Sequence, residues 1–99
     1  MPQTPVTVIA EAIAKAGKEE EARRLFLGLL EPTRKEDGCL QYDLHEEADK
    51  PGNFMFHENW QSRAALDAHL KAPHVASAFA QLPELLEDAP RIWVGKRIG

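Results

Sequence analysis

Residues 39–60 hold the pattern that most limits what this chain can fold into. From Cys39 to Glu47 the residues alternate, with Leu40, Tyr42 and Leu44 facing one way and Gln41, Asp43 and His45 the other. Asp49-Lys50-Pro51-Gly52-Asn53 then sets proline and glycine at turn positions. Phe54 to Trp60 alternates again, with Phe54, Phe56, Glu58 and Trp60 on one face and Met55, His57 and Asn59 on the other. Two alternating runs across a short turn predict a β-hairpin, and a lone hairpin cannot bury its apolar face. The flanking segments must therefore supply both further strands and cover.

They read as both. Val6–Ile13 is β-branched, follows Pro5 and predicts a strand. Gly17 breaks that pattern, and the acidic turn Glu19-Glu20-Glu21 opens a helix to about Lys35. Its apolar positions Ala22, Leu25, Phe26, Leu29 and Leu30 follow the i, i+3, i+4, i+7, i+8 spacing of a helix lying on something flat. After the hairpin, Ser62 is a candidate N-cap for a helix through Leu66, His69 and Leu70. Pro73 interrupts it, and a second helical stretch carries Val75, Ala76, Phe79 and Ala80 before Pro83. Arg91–Ile98 predicts the last strand. The order β-α-β-β-α-β is the ferredoxin-like α+β plan, a four-stranded antiparallel sheet with two helices on one face. The other face would stay bare with apolar residues such as Trp93 on it, which predicts a homodimer formed sheet to sheet.

Composition narrows the function. Ninety-nine residues make a single domain over 1–99. Twelve basic against sixteen acidic residues give a net charge of −4, which argues against nucleic acid or an anionic membrane as partner. No run is apolar enough to span a bilayer, the start Met1-Pro2-Gln3-Thr4-Pro5 lacks the marks of a secretory signal, and the lone Cys39 forms no internal disulfide. The cytoplasm is the expected compartment. The six glycines never approach a nucleotide-binding loop. His57-Glu58 opens no H-E-x-x-H motif because position 61 is Gln, and His45 and Glu46 point to opposite faces of a strand, so no metal site is expected from spacing. The third strand lacks the basic and glycine residues of an RNA-binding sheet.

The chemistry-bearing stretch runs from Glu58 to His74. It puts a carboxylate and an indole at a strand end, then His69 and His74 on either side of Pro73. Leu66, His69 and Leu70 share one stripe, so His69 looks toward the sheet, where Tyr42, Glu58 and Trp60 could converge with it. A histidine on an apolar stripe is more often a satisfied core residue than a catalyst, and this company is what tilts the reading toward chemistry.

This chain resembles the antibiotic biosynthesis monooxygenase domain family, and in particular its small quinol-monooxygenase-like members. The resemblance rests on Val8-Ile9-Ala10-Glu11 with Gly17, on Glu36-Asp37-Gly38-Cys39 with Tyr42, and on Glu58-x-Trp60-x-Ser62 through His69-x-x-x-Pro73-His74. It implies a dimeric α+β barrel with an apolar pocket between helices and sheet in each subunit. It also implies oxidation of a quinol-like or polycyclic aromatic substrate by O2 with no metal, flavin or haem. His69 or His74 would be the base; Tyr42, Phe56, Glu58, Trp60, Leu66 and Phe79 would line or orient the substrate site. The family's haem-degrading branch needs groups at positions held here by Phe79 and Ala10, so haem is not expected. A branch that isomerises small phosphorylated signals shares the histidine run and would need a cation from Lys71, Arg63 or Arg91. A non-catalytic ligand-binding dimer is the alternative from outside enzymes.

Overall fold

The computed structural model describes residues 4–99; Met1, Pro2 and Gln3, which belong to the N-terminal stretch read above, lie outside the described residues. The elements are β1 (Val6–Ile13), α1 (Glu19–Arg34), β2 (Cys39–Glu46), β3 (Asn53–Trp60), α2 (Arg63–Leu70), α3 (Pro73–Leu85) and β4 (Arg91–Gly95). The sheet order is β2-β3-β1-β4 with every neighbour antiparallel, the ferredoxin-like arrangement.

The second helical region is interrupted at Pro73 as expected, which divides it into α2 and α3 and makes three helices in all among the described residues. Ala72 has extended backbone (ψ 143°), as a residue before proline prefers, and Pro73 then starts α3 at its first turn, where its missing N–H costs nothing. Pro83 does not end α3, which runs on to Leu85. In a helix it removes one backbone bond, and its own carbonyl accepts a bond from Lys15 Nζ at 2.9 Å. The last strand is shorter than expected: β4 pairs with β1 only as far as Gly95, opposite Thr7.

The parity of the hairpin decides the core. Phe54, Phe56, Glu58 and Trp60 are all buried on the helix side, while Met55 is 40% exposed on the open side. Phe26 of α1 meets Phe54 and Phe56 edge-on, with centroids 5.4 and 5.3 Å away, and each such buried ring contributes roughly 1.5–3 kcal/mol. One alternation fails: Leu40 is 60% exposed although Tyr42 is buried. A register shift between Cys39 and Gln41 opposite β3 puts the extra residue outside the ladder and turns Leu40 outward.

Two local devices set the site. Ser62 caps α2 by accepting the Ala65 N–H at 3.1 Å. Gly38 has φ +83°, and a Cβ there would lie 2.6 Å from the Ala65 side chain. Only glycine lets the α1–β2 loop sit against the start of α2, where the Gln61 N–H donates to the Gly38 carbonyl at 2.8 Å. The loop delivers Glu36 and the helix delivers His69.

The open face carries Thr7, Asn59 and Gln41 in a bonded row: Thr7 Oγ1 donates to Asn59 Oδ1 at 2.6 Å, and Asn59 Nδ2 to Gln41 Oε1 at 2.5 Å. Trp93, 57% exposed, stands on the same side.

Candidate active site

Between the helices and the sheet lies a cavity of about 90 Å³. Val8, Ala10 and Ala12 of β1 form its floor, Phe26 and Leu29 of α1 one wall, and Leu66, Val75 and Ala78 of α2 and α3 another. Ile92 and Val94 of β4 line its edge, and Phe79, Leu82 and Pro90 are shared with a shallower surface groove, which makes them the rim. The polar groups admitted to this lining are few: Tyr42, Glu58, Arg63 and His69. An apolar chamber with a handful of polar groups is the usual form of a small-molecule site.

His69 is 3% exposed. Its Nδ1 lies 2.7 Å from Glu36 Oε2, and its ring stacks at a tilt on Trp60 with centroids 4.6 Å apart. Burial holds the imidazole below its ordinary pKa, against the opposing pull of the Glu36 carboxylate. The ring is therefore neutral at neutral pH. A neutral ring that donates Nδ1–H to Glu36 keeps Nε2 as its proton-free nitrogen, the carboxylate–histidine arrangement of a general base. Glu36 also lies 3.3 Å from His74 Nε2, and that nitrogen is 3.0 Å from Thr33 Oγ1, a hydroxyl of a fully buried residue.

Glu58 is the second titratable group. It sits opposite Tyr42 on β2 and Val8 on β1 in the sheet register and is 5% exposed. The Trp60 indole donates to its Oε1 at 3.0 Å. Desolvation lifts its carboxyl to about 7, more than the indole bond and despite it, and the Glu36 charge adds to the rise. Burial, with the Glu58 charge behind it, pushes the Tyr42 phenol well above its ordinary value, so Tyr42 stays protonated.

Of the residues expected from sequence, Tyr42, Phe56, Glu58, Leu66, His69 and Phe79 are all on the cavity surface, Phe79 at the rim and 41% exposed. Trp60 and His74 are outside the lining. Trp60 is fully buried behind His69 and Glu58 and holds both. His74 stands on the far side of Glu36 with its centroid 6.2 Å from that of His69. Glu36 and Thr33 were not singled out by sequence reasoning as site residues. The available signal was the position of Glu36 two residues before a turn glycine, in the motif that carried the family resemblance.

The fold and this chamber define a small α+β protein with a largely apolar pocket walled in part by a carboxylate-bonded histidine, and comparison with known proteins gives that class a family. The family profile described as Antibiotic biosynthesis monooxygenase matches residues 5–81, and the chain belongs to that family. It is 42% identical over 83 residues to a Mycobacterium tuberculosis protein named "Putative monooxygenase Rv0793", covering 84% of this chain and 81% of that one. The solved structure of Rv0793 superposes with a TM-score of 0.92 at 38% identity over 97% of each chain. The crystal structure of PA3566 from Pseudomonas aeruginosa gives 0.91 at 35% identity, covering 100% of this chain and 99% of that one. "Putative monooxygenase YcnE" of Bacillus subtilis is 33% identical over 72 residues, 73% of this chain and 76% of its own. Family and relatives support a monooxygenase-like function. No helix among the described residues is long and apolar enough to cross a membrane.

Proposed function

We propose that this protein is a cofactor-independent monooxygenase of the cytoplasm that oxidises a quinol-like aromatic with O2, working as a homodimer joined through the open sheet face. The observation that carries the reading is the Glu36–His69 pair, 2.7 Å apart, which sets His69 in the wall of a mostly apolar chamber with Glu36 behind it. A phenol is a poor reductant until it loses its proton, and its anion passes an electron directly to oxygen. His69 Nε2 takes that proton, while Glu36 fixes the tautomer and stabilises the imidazolium that forms. Ring oxidation then needs no outside reductant. A hydroquinone plus O2 gives a hydroxyquinone plus water, the substrate supplying both electrons and both protons of the water. The apolar walls orient the ring and keep water from the radical pair.

Chamber size favours one ring over several. About 90 Å³ is smaller than the engineered apolar cavities of about 150 Å³ that accept benzene, so even one ring requires some outward movement of α2 and α3, and a polycyclic substrate requires much more. Glu58, near neutrality in its ionisation, accepts a second hydroxyl from the substrate when charged and donates to a product carbonyl when neutral. The phosphate-directed isomerase reading has less support: Arg63 alone among the lining residues is cationic. The open face, with Trp93, Met55 and the Thr7–Asn59–Gln41 row, supports pairing with a second copy.

Oxygen uptake by the purified protein with a panel of quinols and an anthrone tests the proposal. Uptake above that of heat-denatured protein and undiminished by a chelator is the expected result. Uptake no faster than autoxidation across the panel, with no protection of the protein against heat by the same compounds, would remove it.

A further inference from the structure

The side of His69 that faces away from the chamber holds a second site. Glu36 Oε2, His69 Nδ1 and His74 Nε2 converge so that the three atoms all lie within 4.8 Å of one another. They come from three separate elements: the α1–β2 loop, α2 and the first turn of α3. Spacing along the chain conceals this set, because Glu36 is 33 residues from His69.

We infer that Glu36, His69 and His74 form a binding site for a divalent transition-metal ion of the zinc type, and that its occupancy takes His69 out of service as a base. Two imidazoles and one carboxylate suit Zn2+, Co2+ or Ni2+ rather than Mg2+ or Ca2+, which need more oxygen ligands. Ligand bonds of about 2.1 Å in a tetrahedron put donor atoms about 3.4 Å apart. The Glu36–His74 edge is already 3.3 Å, and the Glu36–His69 edge, 2.7 Å, has only to open. The carboxylate has no competing cation among the described residues: its ion-pair partners are these two histidines. His69 is fixed by Trp60 and Tyr42 around its ring, which keeps a ligand rotamer pre-set. Side chains of Glu36 and His74 are 17% and 26% exposed, which gives an ion a way in and leaves the fourth position to water. Thr33 Oγ1, 3.0 Å from His74 Nε2, stands ready to hydrogen-bond that water.

The regulatory half rests on the oxygenase reading above. A metal on Nδ1 moves the imidazole proton to Nε2, so the nitrogen left for the chamber becomes a donor and the base is lost. The binding half does not rest on it. Titration of the purified full-length protein with Co2+ should produce the visible bands of a four- or five-coordinate ion, saturating at one ion per chain and displaced by Zn2+. His74→Ala and Glu36→Gln should each weaken binding by at least about tenfold, whereas His45→Ala, on an exposed strand position, should leave it unchanged. Circular dichroism of each variant separates loss of a ligand from loss of fold. Absence of visible bands, or bands that survive intact in folded His74→Ala and Glu36→Gln, overturns the site. Where the bands form but quinol-dependent oxygen uptake is equally fast with and without saturating Zn2+, the regulatory coupling falls and the site stands.

Discussion

The hairpin β2–β3 carries a glutamate near each end, and the two are treated in opposite ways. Glu46, beside the turn, accepts from Arg23 Nε at 2.9 Å and Nη2 at 2.6 Å, and from the Gly52 N–H at 2.8 Å. Its carboxyl is held down to about 2, chiefly by the Arg23 bond. Glu58, at the far end and on the helix side, has an indole for a partner and no guanidinium, and burial lifts it to about 7. Same residue type, same hairpin, carboxyls about five pH units apart. A carboxylate given a bidentate arginine and a backbone donor is saturated and can only hold structure. One given a single neutral donor in an apolar wall exchanges a proton near neutral pH, the condition acid–base work requires. The same contrast separates the histidines. His69 is buried on a carboxylate, whereas His57 on the open face lies 3.2 Å from the Gln41 amide.

The strongest way to break this contrast is to remove the proposed base and keep its shape. His69→Gln retains a donor toward Glu36 but no proton acceptor of useful basicity. The quinol-dependent rate should fall by about 10²–10⁴-fold, the usual worth of a general base, with little change in the melting temperature. His57→Gln should leave the rate within about twofold, since it touches nothing on the cavity side. A large stability loss in His69→Gln with the rate per folded molecule preserved would make His69 a core histidine after all.

Glu58 gives the next largest effect, read in stability rather than rate. Its folded carboxyl titrates near 7 and its unfolded one near 4.5. Below pH 4.5 both states are protonated and the group is neutral to folding. As pH rises from 4.5 to 7 the unfolded chain sheds the proton first, so the wild type loses up to about 3 kcal/mol across that window. Glu58→Gln keeps the acceptor for Trp60 and abolishes the loss. Urea unfolding should show the variant equal to wild type near pH 4 and more stable by about 2–3 kcal/mol at pH 8. The buried His69 acts in the opposite sense, since its lowered pKa lets stability rise with pH below the unfolded value of 6.5. The difference between the two proteins, not the wild-type curve, therefore isolates Glu58. A flat difference would mean that water reaches the carboxylate in the chamber.

How far this was legible from the sequence differs between fold and site, for physical reasons. The periodicities of Val6–Ile13, of Ala22 to Leu30 and of Phe54–Trp60 gave element types and faces directly, because burial enforces a period. Leu40 broke the rule because a bulge resets parity without leaving a glycine or proline to mark it. Pro83 misled for the converse reason, since a helix already packed through Val75, Ala78 and Leu82 tolerates one lost backbone bond. The approach of His69 to the sheet followed from its stripe. That Glu36 meets it did not, because a loop residue has no period, and only the glycine at 38, pressed on Ala65, brings that loop to α2. Nor could alternation show that Trp60 backs the histidine instead of facing the cavity.

The N-cap tests that loop-to-helix seating at smaller cost. Ser62→Ala removes the acceptor for the Ala65 N–H and should cost about 1 kcal/mol in chemical unfolding. Because α2 carries His69, the rate should fall along with stability; unchanged activity at full loss of the cap would show that Gly38 and Trp60 alone hold the base in place.

The smallest effect belongs to the other glutamate, and its sign completes the contrast. Arg23→Gln strips Glu46 of both guanidinium bonds, leaving the Gly52 N–H. The depressed carboxyl contributes stability that is fully present above about pH 4.5 and is lost as pH falls toward 2. The variant should therefore be slightly less stable than wild type at neutral pH and indistinguishable from it near pH 2. The deficit should shrink as salt is added, because Arg23 and Glu46 remain partly open to solvent at 30% and 28% exposure. So Glu58→Gln diverges from wild type upward as pH rises and Arg23→Gln downward, each over a window set by its own carboxyl. Oxygen uptake should follow only the first. If Arg23→Gln altered the pH profile of the reaction, the turn end of the hairpin would be coupled to the chamber through Phe54, over whose ring the Arg23 guanidinium lies 5.8 Å from the centroid. The proposed division between a structural carboxylate at Glu46 and a working one at Glu58 would then fail.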